Sequence, residues 1–87
     1  MAYVYILRCC GGSLYVGHTD DVLAREKTHN EGRGARFTAA RRPVVAVYAE
    51  RYDSTIEAIA RERQLKRWTH VKKEALIAGD KVLLKRL

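Results

Sequence analysis

Tyr3-Val4-Tyr5-Ile6-Leu7-Arg8, then Gly11-Gly12-Ser13, then Leu14-Tyr15-Val16-Gly17: this stretch decides the fold. Residues 2–8 are dense in aromatic and branched aliphatic side chains, which suit a pleated, half-buried surface, and they read as a strand. Two glycines and a serine mark a turn, and Leu14–Gly17 returns as a second strand, so the pair reads as an antiparallel hairpin. Side chains alternate along a strand. Tyr3 and Tyr5 therefore share one face, and Tyr5 and Tyr15, from paired strands, can meet on it.

Beyond the hairpin, Thr19 followed by Asp20 and Asp21 predicts a capped helix with acids at its positive end, running to about Asn30 and stopping near Gly32. The segment Arg33–Pro43 predicts an exposed basic loop. Val44–Glu50 is mostly apolar, which predicts the central strand of a sheet. Ser54-Thr55-Ile56-Glu57 has the form of a capping box, so a helix is expected from Ser54 to about Trp68. Thr69 predicts the cap of a third helix ending before Gly79, and Val82, Leu83, Leu84 and Leu87 predict a docked tail over 80–87. The order β-β-α-β-α-α describes a small α/β domain, a three-stranded sheet beginning with an antiparallel hairpin and flanked by helices. With 87 residues there is room for one core. Residues 1–87 thus read as a single domain, which buries about 60–65 % of the surface its unfolded chain exposes.

Seventeen Lys and Arg against ten Asp and Glu give a formal net charge of +7. The cations cluster. Arg33, Arg36, Arg41 and Arg42 have no acid among them, and a second group begins at Arg61. Such clusters suit a polyanion, because releasing counterions from phosphates drives association. A basic solvated surface or a ribosome-associated protein is the alternative. No apolar run approaches the ~20 residues of a membrane span, and the N-terminus has no secretory pattern. Cys9 and Cys10 are adjacent, a poor geometry for a disulfide, so a reduced, cytoplasmic protein is expected.

Tyr3-Val4-Tyr5 and Tyr15-Val16-Gly17 resemble the paired tripeptides of the GIY-YIG nucleases, with Tyr3 in place of the first glycine. Arg25, His29 and Glu62, the last within Arg61-Glu62-Arg63-Gln64-Leu65-Lys66, fall where that family has its helix arginine, helix histidine and metal-binding glutamate. The likeness covers Tyr3 to about Gly79. The run from His29 to Thr38, with Arg41-Arg42-Pro43, resembles the small single-domain bacterial members of the URI type. The resemblance implies a DNA endonuclease with the GIY-YIG fold, which hydrolyses phosphodiester bonds and leaves a 5′-phosphate and a 3′-hydroxyl. It implies one Mg²⁺ or Mn²⁺ ion on Glu62, a hard ion that keeps most of its waters. Arg25 is then the phosphate grip and Tyr15 takes part in deprotonating water. A free phenol titrates near 10, so the metal and Arg25 must favour the phenolate. Tyr5 orients Tyr15 or the water, and His29 bonds or relays a proton. Two departures stand out: Ala24 occupies a position where many relatives carry a second arginine, and no asparagine follows the metal-binding helix.

Each residue also has a plainer reading. Tyr5 and Tyr15 are ordinary strand residues, Arg25 could pair with Asp21 or Glu26, and His29 could merely suit a helix C-terminus. Glu62 could form an i,i+4 pair with Lys66. His18, just after Gly17, is either catalytic support or an exposed strand end, and Lys66 either reaches a phosphate or does not. Arg33, Arg36, Arg41 and Arg42 are expected to contact nucleic-acid backbone. The expected partner is DNA, single-stranded or branched, since flexible strands reach a small cleft easily. The protein is read as a monomer outside the membrane, acting in DNA repair or processing, alone or beside a repair protein. The competing function is a nucleic-acid-binding module on the same fold that is non-catalytic or depends on a partner.

Overall fold

A computed structural model describes residues 1–87. Strand β1 (Ala2–Cys9) and strand β2 (Leu14–Thr19) form the expected hairpin, with Tyr5 opposite Gly17 and Leu7 opposite Tyr15. Gly11 and Gly12 take φ of 93° and 98° in its turn, a region open to glycine at little cost. Then follow α1 (Val22–Asn30), α2 (Arg36–Ala39), β3 (Val44–Tyr52), α3 (Thr55–Lys66), α4 (His70–Ala78) and α5 (Lys81–Arg86). The sheet order is β2-β1-β3, antiparallel throughout.

The centre of the sheet is β1, not β3. Six of the eight β1 residues are buried, whereas β3 buries Val44 alone. The apolar run of β3 comes from small and partly exposed side chains, and a bulge at Val47 interrupts its pairing with β1 between Ile6 and Leu7. As an edge strand β3 has an outer row of backbone groups that need partners, and α1 supplies two. The Ala46 N–H donates to Glu26 Oε2 at 2.6 Å. Asn30 caps Val44 in both directions, accepting from its N–H at 2.7 Å and donating to its carbonyl at 2.9 Å. The one asparagine of the chain is thereby committed to structure.

Two cores lie on opposite faces of the sheet. Val4, Ile6 and Val16 pack on Ala58 and Leu65 of α3, with Trp68, Leu76 and Ile77 around them. Tyr5, Leu7, Cys9 and Val44 form the second core, with Tyr15 and Val22 against it. Ion pairs fasten the helices. Arg61 on α3 donates to both oxygens of Glu50 on β3 at 2.9 and 3.0 Å, and Tyr48 and Tyr52 donate to the same carboxylate. Burial alone would raise the Glu50 pKa; these donors hold it below the ordinary carboxylate value. Arg8 on β1 forks onto Glu74 of α4 at 2.8–3.1 Å.

Local signals were accurate at most helix ends. Ser54 caps α3 and Thr69 caps α4, which stops at Gly79 with φ of 71°. The cap of α1 is Asp21, whose Oδ1 accepts from the Ala24 N–H, while Thr19 stays in the strand and bonds the Asp21 backbone. Arg33–Pro43 is not simply a loop. It contains α2, whose Thr38 is fully buried. The tail does not dock as expected: α5 buries no residue, with Val82 67 % exposed. Asp80 starts it by accepting from the Leu83 N–H, so local capping forms this helix without core burial.

Removal of residues 81–87 should therefore leave the urea midpoint nearly unchanged, whereas Leu65→Ala should cost about 2–5 kcal/mol. A large loss on truncation, measured by urea unfolding, would show that α5 contributes to the core.

Candidate active site

The Tyr5 side chain crosses the hairpin where Gly17 faces it. A Cβ at position 17 would stand 2.5 Å from the Tyr5 hydroxyl, so only glycine leaves room for the ring. The phenol reaches His29 on α1, with its oxygen 2.9 Å from Nε2. On the other side of the imidazole, Nδ1 lies 2.7 Å from Thr38 Oγ1. The Thr38 hydroxyl donates its own proton to the Ala35 carbonyl at 3.1 Å, so toward His29 it can only accept. His29 must then carry its proton on Nδ1, and Nε2 offers a lone pair to the Tyr5 O–H. The tautomer follows from the hydrogen-bond chain. Gly34 packs against the same ring so closely that a Cβ there would overlap it.

This chain is dry. Tyr5, His29 and Thr38 are each at most 1 % exposed. Burial pushes the Tyr5 phenol well above its ordinary range, with the Tyr15 phenol adding to the shift and Arg25 opposing it. Burial, then the Arg25 charge, lowers the His29 pKa. Both groups are therefore held neutral near pH 7, which makes Tyr5 a donor and positioning group rather than a base.

The remaining site residues lie around β2, the free edge of the sheet. Tyr15 is half-buried, its ring 5.0 Å from that of His29. A cleft of about 350 Å³ is lined by His18 and Arg25, with Ala2, Thr19, Asp20 and Thr55. A second groove, of about 200 Å³, contains Tyr15 and Lys66. Glu62 links the two. Its Oε1 bonds His18 Nδ1 and its Oε2 lies 2.7 Å from Lys66 Nζ. Only 14 % of the Glu62 side chain is exposed. Burial raises its pKa, but the bonds from Lys66 and His18 outweigh this and keep it ionised. A wider concavity of about 560 Å³, beside Asn30, Arg42 and Pro43, has no acid in its lining and lies apart from these groups.

Arg25 is exposed and pairs with neither Asp21 nor Glu26; none of the ion pairs includes it. The plain reading does hold for Glu62 and Lys66, which form the i,i+4 pair. The basic segment is more committed than its charge suggests. Arg33 pairs with Glu31, Arg41 donates to the Phe37 carbonyl at 3.0 Å, and Arg42 donates to the carbonyls of Ala39 and Asn30. Arg36 is left without a protein partner. Thr38 and Gly34 are the contributors that reading for motifs did not single out. No periodicity marks them, because their role is a contact with a ring on another element.

No group of three or more His, Cys, Asp or Glu side chains gathers anywhere in the chain. The donor set at Glu62 fits a hard ion that retains its waters and takes one protein carboxylate, and does not fit an all-protein cage. Such an ion would compete with the Lys66 ammonium for that carboxylate.

A hairpin carrying two tyrosines, a helix carrying arginine and histidine, and a glutamate facing the edge strand define a nuclease-type catalytic domain. The chain belongs to the GIY-YIG family: the GIY-YIG catalytic domain matches residues 1–75, and this class of domain implies DNA as substrate. The chain is 49 % identical over 75 residues to the UPF0213 proteins of Staphylococcus aureus strains Mu50 and COL, spanning 86 % of this chain and 92 % of theirs. Its fold is similar to the solution NMR structure of the UPF0213 protein BH0048 from Bacillus halodurans, with a TM-score of 0.57 and 42 % identity over 90 % of this chain and 84 % of that one.

Two consequences are measurable. A histidine whose folded pKa is lowered loses stability as pH falls through its unfolded value, because the unfolded chain takes up the proton first. Between pH 7 and 5.5 the His29 contribution should fall with a slope of up to about 1.4 kcal/mol per pH unit, and His29→Gln should remove that slope. Equal wild-type and variant slopes in urea unfolding would mean that His29 protonates in the fold. Separately, Gly17→Ala should cost about 1–3 kcal/mol by displacing Tyr5 from its bond, and an unchanged midpoint would deny the close approach.

Proposed function

We propose that this protein is a metal-dependent endonuclease that hydrolyses phosphodiester bonds of DNA, acting on single-stranded or branched substrates in repair or processing. The observation that carries the reading is Arg25, an exposed guanidinium with no acidic partner, sharing a cleft with His18, the residue that bonds Glu62. An unpaired planar fork in that place suits a phosphate, which it can grip through two parallel hydrogen bonds.

In this scheme water attacks phosphorus, the bond to the 3′ oxygen breaks, and a 5′-phosphate and a 3′-hydroxyl result. Arg25 neutralises charge building on the phosphoryl oxygens. Tyr15, acting as its phenolate, orients the attacking water and takes up its proton, and the departing 3′ oxygen takes a proton from solvent. Tyr5 and His29, locked as neutral donor and acceptor, hold the floor of the site and fix where Tyr15 sits. His18 and Lys66 position the Glu62 carboxylate, and Lys66 offers a cation to a neighbouring phosphate once released. Glu62 would hold one Mg²⁺ or Mn²⁺ ion, which supplies Lewis-acid stabilisation of the developing charge. Arg36, with Arg33, Arg41 and Arg42 behind it, is the proposed backbone contact. We place the protein in the cytoplasm, as a monomer.

One observation favours a second reading. Both oxygens of Glu62 already have cationic or hydrogen-bonding partners within the chain. A non-catalytic DNA-binding module, or one that needs a repair partner to release Glu62, would have this arrangement.

Wild type and Glu62→Ala incubated with Mg²⁺ or Mn²⁺ and labelled single-stranded, duplex and branched DNA separate the two. Cleavage by the wild type, reduced at least about 100-fold in Glu62→Ala and in Arg25→Ala, is expected from the loss of charge stabilisation. Binding without cleavage by the wild type on every substrate would instead support the binding module.

A further inference from the structure

Phe37, the one phenylalanine of the chain, is 38 % exposed on α2. It lies nearly parallel to Tyr15, with ring centroids 6.2 Å apart and an interplanar angle of 28°. The Arg41 guanidinium sits 3.9 Å from the Phe37 centroid and also donates to the Phe37 carbonyl. A cation over the ring and a second ring beside it hold Phe37 in place at the surface. This is an unusual expenditure of contacts on a half-exposed aromatic side chain.

The groove of about 200 Å³ lies beside this pair. Its apolar lining is Leu14, Tyr15, Val16 and Phe37, and its two polar residues are both lysines, Lys66 and Lys73. Lys66 is engaged with Glu62, whereas Lys73 has no acidic partner among the ion pairs of the chain. An apolar, aromatic wall with a free cation at its rim matches the two halves of a nucleotide. The flat base prefers the aromatic wall, and the phosphate beside it prefers the ammonium. A paired base cannot enter, because its faces are stacked within the duplex.

We infer that the groove between Phe37 and Lys73 binds one unpaired nucleobase of a single strand, with the base against Phe37 and Tyr15 and an adjoining phosphate on Lys73. This deepens the nuclease reading and rests on it for the nucleic-acid partner: Tyr15 belongs both to the groove and to the reacting centre, so a base seated here sets which phosphate is presented. Arg41 acts behind Phe37 as a positioning residue that keeps the ring in place.

The test is a binding measurement without metal, so turnover plays no part. Fluorescence anisotropy in EDTA compares a labelled single-stranded oligonucleotide with one of equal length whose sites are abasic. Wild type should bind the abasic strand about 5- to 100-fold more weakly, the range that stacking of a base on an aromatic side chain supplies. Phe37→Leu keeps apolar volume beside Tyr15 and should lose most of that discrimination without altering the salt dependence, and Phe37→Trp should restore it. Lys73→Gln should lower the slope of log affinity against log salt by about 0.7. Circular dichroism and thermal unfolding establish that each variant is folded. If Phe37→Leu does not fold, Phe37→Trp and Lys73→Gln still decide, since loss of discrimination in the tryptophan variant or an unchanged slope in the glutamine variant overturns the assignment. Equal wild-type affinity for the two strands also overturns it, even if the protein cleaves DNA. Conversely, strong base discrimination in a protein that cleaves nothing leaves the groove standing and removes the nuclease reading.

Discussion

A buried phenol must find a hydrogen-bond partner, and that constraint organises much of this small domain. The Tyr5 hydroxyl lies inside the sheet–helix interface, where an unmade bond costs more than a solvated one. It can reach His29 only because position 17 has no side chain, and His29 can turn toward it only because position 34 has none on the other side. The imidazole in turn needs an acceptor for its Nδ1 proton, which Thr38 supplies from the short helix α2. The tripeptide glycine, the helix histidine and the segment between α1 and β3 are thus one connected unit. Its members come from four elements, and the bonds among them fix where α1 and α2 lie on the sheet.

The opposite face of the sheet carries the charge. Glu62 points from α3 toward β2, held by His18 of that strand and by Lys66 one turn further along its own helix. Arg61, the preceding residue, is clamped to Glu50 of β3 with both its Nε and its Nη2. That clamp sets the rotation of α3 and so the direction in which the next residue points. The contacts of Glu62 with His18 and Lys66 and of Arg61 with Glu50 all lie on the α3 side of the sheet, with the second core on the other. A nuclease site at a strand edge gains access to a flexible polyanion. It also keeps its neutral tyrosine–histidine pair out of water.

The arginine-rich segment shows that clustered charge and available charge differ. Three of the four arginines hold a neighbouring carboxylate or the carbonyl ends of α2 and α1, so part of the positive charge stabilises the segment that presents Phe37 and Thr38. Arg25, by contrast, stands in a run with two acids nearby and pairs with neither. Formal charge from the sequence gives the sign of the partner, and the hydrogen bonds decide which cations remain for it.

Much of the fold follows from local signals. The hairpin comes from its glycine turn and strand composition, the α3 cap from Ser54, and the limits of α4 from Thr69 and Gly79, all interactions within a few residues. Tyr5, Tyr15, Arg25, His29 and Glu62 were recognisable because their spacing matches a family, and the structure adds that Tyr5 and Tyr15 both meet His29 while Glu62 is held by His18 and Lys66. What tertiary structure alone decided is long-range. Sheet order depends on which strand both helical layers cover, and β1 and β3 have similar apolar runs, so hydropathy could not rank them. The exposed state of α5 depends on whether a partner surface is left over, which its three apolar residues do not reveal. The places of Thr38 and Gly34 depend on contacts with a ring that lies on another helix. Composition and periodicity report each element's own preferences; the proton on His29 Nδ1 is set only when three side chains from different elements share one dry space.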